Sequence, residues 1–157
     1  MRNIVALLLP LLVLVVLPST AQASHYPLDA VSFIPKEHSA ALQQAGFSET
    51  KDLLNGLLTP KARKAVAEKA QIDEDTLLQY AQLCDLLRIR GIGPKMAQVI
   101  YYAGFKTVAE LEKAKPAMLA QAMKKANQKH RISELLPQEE SLVDWINQAK
   151  KLPNIVK

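Results

Sequence analysis

The sequence predicts an all-α fold on three observations: apolar residues recur at intervals of three and four, helix-start signals punctuate the chain, and no alternating β-branched run occurs. Composition agrees, with few glycines, few aromatic residues and many Ala, Leu, Lys and Gln. The starts are Thr59-Pro60, Asp73 ahead of Glu74-Asp75, Gly93-Pro94, Thr107 with Glu110 as a capping box, Lys115-Pro116 and Leu136-Pro137. At such places a short polar side chain accepts an unpaired amide, and proline lacks an N–H that would have had no partner anyway. Gly46 and Gly104 read as helix stops, because glycine enters the left-handed region without a Cβ clash. Between these marks run four apolar stripes at helical spacing, each expected to be a core face. They are Leu77, Tyr80, Ala81, Cys84 and Leu87; Met96, Val99, Ile100 and Ala103; Leu119, Ala122, Met123 and Ala126; and Leu142, Trp145, Ile146, Ala149 and Leu152.

The N-terminus reads as a secretory signal peptide over residues 1–23. Met1-Arg2-Asn3 is a short positive start, Ile4 to Leu17 is almost wholly apolar, and Pro18 to Ala23 ends in an Ala-x-Ala site, with cleavage after Ala21 as the alternative. The apolar run is shorter than the roughly 20 residues a bilayer span needs and contains Pro10, so no membrane span is expected to survive cleavage. No cysteine stands at the cleavage site, which argues against a lipoprotein. The expected residence is the periplasm or the extracellular space, with 24–32 as a linker and 33–157 as the helical domain. Export is an oxidising setting, yet Cys84 is the sole cysteine, so packing must hold the core without an intramolecular disulfide. Its place in an apolar stripe makes Cys84 an inert core thiol.

An internal repeat subdivides the domain. Ala45-Gly46-Phe47 matches Ala103-Gly104-Phe105, Leu53 matches Leu111, and Thr59-Pro60 parallels Lys115-Pro116 two residues out of register. The expected units are 33–71, 72–131 and a terminal stretch 132–157. Leu142 to Ile146 parallels Leu77 to Ala81, so the last helix resembles the opening of a third unit and is expected to cap the apolar end of the pair.

The stretch Ile89-Arg90-Gly91-Ile92-Gly93-Pro94-Lys95 carries the chemistry. Gly91 and Gly93 can take positive φ and leave room beside the backbone, while Ile92 can plug the gap between helices. Pro94 suits a first helical turn, whose amides, with the helix dipole and the Lys95 ammonium, would form a small anion site. The plainer alternative is a helix–helix turn held by an apolar Ile92. At the matching place the first unit has Phe33-Ile34-Pro35-Lys36-Glu37, with no glycine and an acidic group, and is expected to be structural.

Leu87 to Lys95, followed by Ala103 to Leu111, resembles the helix-hairpin-helix pattern of DNA repair and recombination proteins. Over most of the domain the chain resembles an uncharacterised domain-of-unknown-function family built from paired units of that kind. The resemblance implies tandem helix-hairpin-helix-like repeats, and sequence-independent contact with a DNA backbone through Gly91, Ile92, Gly93 and Lys95. Arg88 and Arg90 stand beside them, giving Arg88, Arg90, Gly91, Ile92, Gly93 and Lys95 as the candidate phosphate-binding set. A second cluster, Lys124, Lys125, Lys129, His130 and Arg131, reads first as cations offsetting a helix dipole. The net charge of +5, reduced by loss of Arg2, is mild for a nucleic-acid binder. Two partner classes therefore follow: a nucleic-acid backbone or other polyanion, and another exported protein.

No nucleophile with a base, no paired carboxylates and no ligand cluster stand out, so neither catalysis, nor a metal, nor a cofactor is expected. His25, His38 and His130 are scattered, and Asp73, Glu74 and Asp75 open a helix. Tyr101 and Tyr102 follow the turn on one helix, so at least one should face outward. Trp145 is expected to be buried against the hairpin units.

Overall fold

The computed structural model describes residues 25–157; the expected signal peptide lies outside the described residues. Among these the chain forms a 3-10 turn η1 (Leu28–Ala30) and eight α-helices, with no strand. The helices are α1 (Lys36–Gln44), α2 (Thr50–Gly56), α3 (Pro60–Ala70), α4 (Glu74–Leu86), α5 (Pro94–Tyr102), α6 (Val108–Leu111), α7 (Pro116–His130) and α8 (Glu139–Ala149). The fold is all-α, and no described helix is long and apolar enough to cross a membrane.

The caps explain most of the boundaries. Thr59 accepts from the Ala62 N–H at 3.2 Å, Asp73 from the Thr76 N–H at 2.8 Å, and Thr107 from the Glu110 N–H at 3.3 Å. Glu110 turns back as a capping box requires, but its carboxylate takes the Lys106 N–H at 2.6 Å, one residue earlier than the usual partner. The start expected at Leu136-Pro137 falls instead at Glu139, with Gln138 as the extended cap. Leu136 packs against the second core ahead of the helix, and with Pro137 it lines a cleft beside Met123 and Leu142.

Both glycine stops are left-handed, with φ of 103° at Gly46 and 96° at Gly104. Each closes its helix in the same way, the Phe47 N–H donating to the Leu42 carbonyl at 3.0 Å and the Phe105 N–H to the Ile100 carbonyl at 3.1 Å. Helices α3 and α7 end on left-handed residues that are not glycine, Gln71 and Arg131.

Two cores share one helix. Leu28, Val31, Leu42, Leu53, Leu57, Leu77, Tyr80 and Cys84 belong to the first, whereas Leu83, Leu86, Ile89, Ile92, Ile100, Leu119, Trp145 and Ile146 belong to the second. Helix α4 therefore supplies Leu77, Tyr80, Ala81 and Cys84 to one side and Leu83 and Leu86 to the other. It packs on α2 and α3, just as α8 packs on α6 and α7. The segment expected to be a linker contributes Leu28 and Val31 to the first core, so the packed body begins ahead of residue 33. Beyond α8, Ile155 and Val156 pack against the first core. There the buried Arg63 donates to the carbonyl of Leu57 at 2.9 Å and to the backbone oxygen of Lys157 at 2.8 Å.

Candidate anion site at the turn between α4 and α5

Residues 87–93 join α4 to α5, and their apolar members fix the path of the turn. Leu87, Ile89 and Ile92 are buried, and the Ile92 N–H donates to the Ile89 carbonyl at 3.1 Å. Ile92 is the expected plug, fully buried in the second core.

The two glycines differ, which corrects the expectation that both serve positive φ. Gly91 has φ +91° and needs glycine. A Cβ there would also fall 2.9 Å from Trp145 Nε1. Gly93 has φ −88° and ψ 175° as the N-cap of α5, a conformation any residue adopts. A Cβ on Gly93 would meet only the Tyr26 hydroxyl, at 3.7 Å.

Helix α8 forms the wall behind the turn. Trp145 is buried against Gly91, and Gln148 bonds to both backbone groups of Arg90. The N–H groups of Gly91, Gly93, Lys95 and Met96 have no acceptor among the described residues. Those of Lys95 and Met96 belong to the first turn of α5, where the helix dipole is positive.

The candidate cations separate into two kinds. Arg88 turns inward, donating to Asp85 Oδ1 at 2.6 Å and to the Pro153 carbonyl at 3.1 Å. Asp85 is fully buried and accepts the Val108 N–H through its other oxygen at 2.8 Å, so one carboxylate ties the turn to the start of α6. Arg90 and Lys95 are exposed. Lys95 and Arg131 line one groove of about 450 Å³, together with Asn127, Gln128 and Glu134. The sequence held no signal for this meeting of the two basic clusters, because the crossing of α5 and α7 is what creates it.

The other groups singled out from sequence lie elsewhere. Cys84 is a buried free thiol in the first core, where burial, and then the Asp85 charge, push its pKa up and keep it protonated. His38 pairs with the Tyr80 hydroxyl at 2.6 Å, and His130 stacks on Tyr102. Among the described residues no group of His, Cys, Asp and Glu is arranged to hold a metal ion.

Neither a curated protein nor a solved structure matches the chain. A family model described as a domain of unknown function matches residues 33–152, which takes in α1 to α8 and the turn between α4 and α5 but leaves out Leu28 and Val31 of the first core. By that match the chain belongs to the family Domain of unknown function (DUF4332).

Proposed function

We propose that this protein is an exported, non-catalytic binding module that holds the backbone of a nucleic acid or another polyanion at the α4–α5 turn. One observation carries the reading: an exposed turn, braced by α8, leaves the amides of Gly91, Gly93, Lys95 and Met96 without protein acceptors beside the cations of Arg90 and Lys95. Phosphate oxygens would accept from these amides, favoured by the dipole of α5 and read without reference to base identity. Ile92 holds the turn in the core, and Arg88 fastens it to Asp85. Export rests on the apolar run and the Ala-x-Ala site in the sequence.

The same proposal takes the domain as tandem helix-hairpin-helix-like units with α8 as the cap. In support, the Ile34 N–H donates to the Val31 carbonyl at 3.3 Å, as Ile92 does to Ile89 in the second unit. In the first unit Pro35 occupies the N-cap and Glu37 the first helical turn, so charge disfavours an anion there. A single site predicts weak, salt-sensitive binding.

Fluorescence anisotropy with short duplex and single-stranded DNA, at low and physiological salt, tests the reading. Affinity should fall steeply with salt and with Lys95→Glu. Absence of binding at low salt would overturn it. A protein partner is the second reading, and it is favoured by an apolar cleft of about 200 Å³ lined by Met123, Leu136 and Leu142, with exposed Leu135 and Val143 as the chain neighbours of the last two. Partner capture through that face would survive Lys95→Glu and be lost with Leu135→Asp.

A further inference from the structure

The last turns of α5 and α7 meet at the surface in an arrangement that dipole compensation does not explain. The rings of Tyr102 and His130 are stacked, with centroids 4.2 Å apart and planes 17° from parallel. Tyr102 remains 43% exposed, and His130 is exposed as well. Tyr101 braces the pair edge-on at 5.5 Å, and the Lys106 ammonium lies 5.7 Å from the Tyr101 ring centre. Lys125 and Lys129 line the groove that this stack borders, a space of about 280 Å³ floored by alanines and lined by no carboxylate. Cations at the end of α7 would offset its dipole wherever they pointed. An aromatic pair left half in water, with lysines on its groove, calls for a different account.

We propose that the Tyr102–His130 stack is a platform for an unpaired nucleobase whose phosphates lie against Lys125 and Lys129, so that this protein favours single-stranded nucleic acid or a nucleotide over a duplex. The inference deepens the polyanion reading and rests on it. Arg131 follows His130 directly and lines the groove of Lys95, so the two grooves flank α7 on different sides near its end. A strand that meets the α4–α5 turn would pass around the end of α7 to reach the lysines and rings. Duplex DNA keeps its bases inside its own stack, whereas a single strand offers a free π-face to any exposed ring.

The test compares a deoxythymidine oligomer, an abasic strand of equal length and charge, a duplex, and thymidine monophosphate, by anisotropy or by competition. The thymidine oligomer should bind about fivefold or more tightly than the abasic strand. His130→Ala should erase that difference, and His130→Phe, which keeps the flat ring without the imidazole, should preserve it, both with unchanged thermal melts. Equal affinity for the thymidine and abasic strands would overturn the platform, as would equal loss in both His130 variants. In either case the turn reading would stand if Lys95→Glu still weakened every strand. No binding of any oligomer would overturn both. Competition by the monophosphate that His130→Ala abolishes would identify a free nucleotide as a sufficient ligand, and its absence would identify a strand.

Discussion

The side chain of Gln148 engages both backbone groups of Arg90, its Oε1 accepting the N–H at 2.9 Å and its Nε2 donating to the carbonyl at 3.1 Å. The amide presents an acceptor and a donor side by side, and this pairing fixes its orientation. The same Nε2 reaches Asp144 at 2.8 Å one turn earlier on α8. Gln148→Ala should therefore loosen the turn without undocking α8, whose Trp145 and Ile146 stay buried. These bonds are solvent-exposed, so the expected cost is about 1 kcal/mol. Hydrogen exchange reads it directly. The Arg90 amide should lose protection in the variant, and unchanged protection would show that Gln148 does not hold the turn.

Gly91 and Gly93 should answer substitution in opposite ways. Gly91→Ala places a Cβ at φ +91° and 2.9 Å from Trp145 Nε1, so the ring must move. Left-handed strain plus that displacement should cost roughly 2–4 kcal/mol in a denaturant titration. Gly93→Ser fits the extended N-cap, where a serine oxygen can accept the Met96 N–H, so stability should hold or rise by a few tenths of a kcal/mol, about the Ser-over-Gly preference at this position. That bond would withdraw an amide from the proposed anion site, so polyanion affinity should fall while stability does not. A severe loss of stability in Gly93→Ser would contradict the extended geometry.

How much the sequence disclosed depended on whether a feature was local. Thr59, Asp73, Thr107 and Gly104 act within a few residues of themselves, and their caps and stops were readable as they stand. Gly93 shows the limit of such reading: proximity to Gly91 suggested a shared role, but the Pro94 that follows makes it an extended cap. The left-handed ends at Gln71 and Arg131 carried no glycine and gave no signal. Arg88 looked like one of a run of cations. Only the burial of Asp85, and the return of the chain to Pro153, turned it inward. The Lys95–Arg131 groove and the Tyr102–His130 stack are likewise products of helix crossing, which no spacing along the chain records.

Asp85 is the residue whose loss should damage the fold most for its size. Its carboxylate is fully buried and satisfies two groups, the Arg88 guanidinium at 2.6 Å and the Val108 N–H at 2.8 Å. Asp85→Ala strands a buried amide at the start of α6 and leaves an arginine that is 16% exposed without its anion. A loss of roughly 2–4 kcal/mol in chemical denaturation is expected, discounted at the arginine end for solvent. Arg88→Met in the Asp85→Ala background should then cost little more, because the two residues act as one unit. Additive losses would show that they act separately.

Tyr80 gives the fold an alkaline weakness. Its ring is buried between α1 and α4, and its hydroxyl lies 2.6 Å from His38 Nδ1. Burial, and then the charges of Asp73 and Glu37, push its pKa up from 10.0 to about 12. The phenol of the unfolded chain ionises near pH 10, whereas the folded one holds its proton until about pH 12. Below pH 10 both states are protonated and this group makes no difference. Between the two values the unfolded state alone releases a proton, so the stability contribution declines as pH rises, by up to roughly 2 kcal/mol. Tyr80→Phe loses the His38 bond, at about 1 kcal/mol near neutrality, but has no proton to release. The gap in urea midpoint between parent and variant should therefore narrow from pH 8 to pH 11. A gap that stays constant over that range would show that a different group carries the alkaline transition.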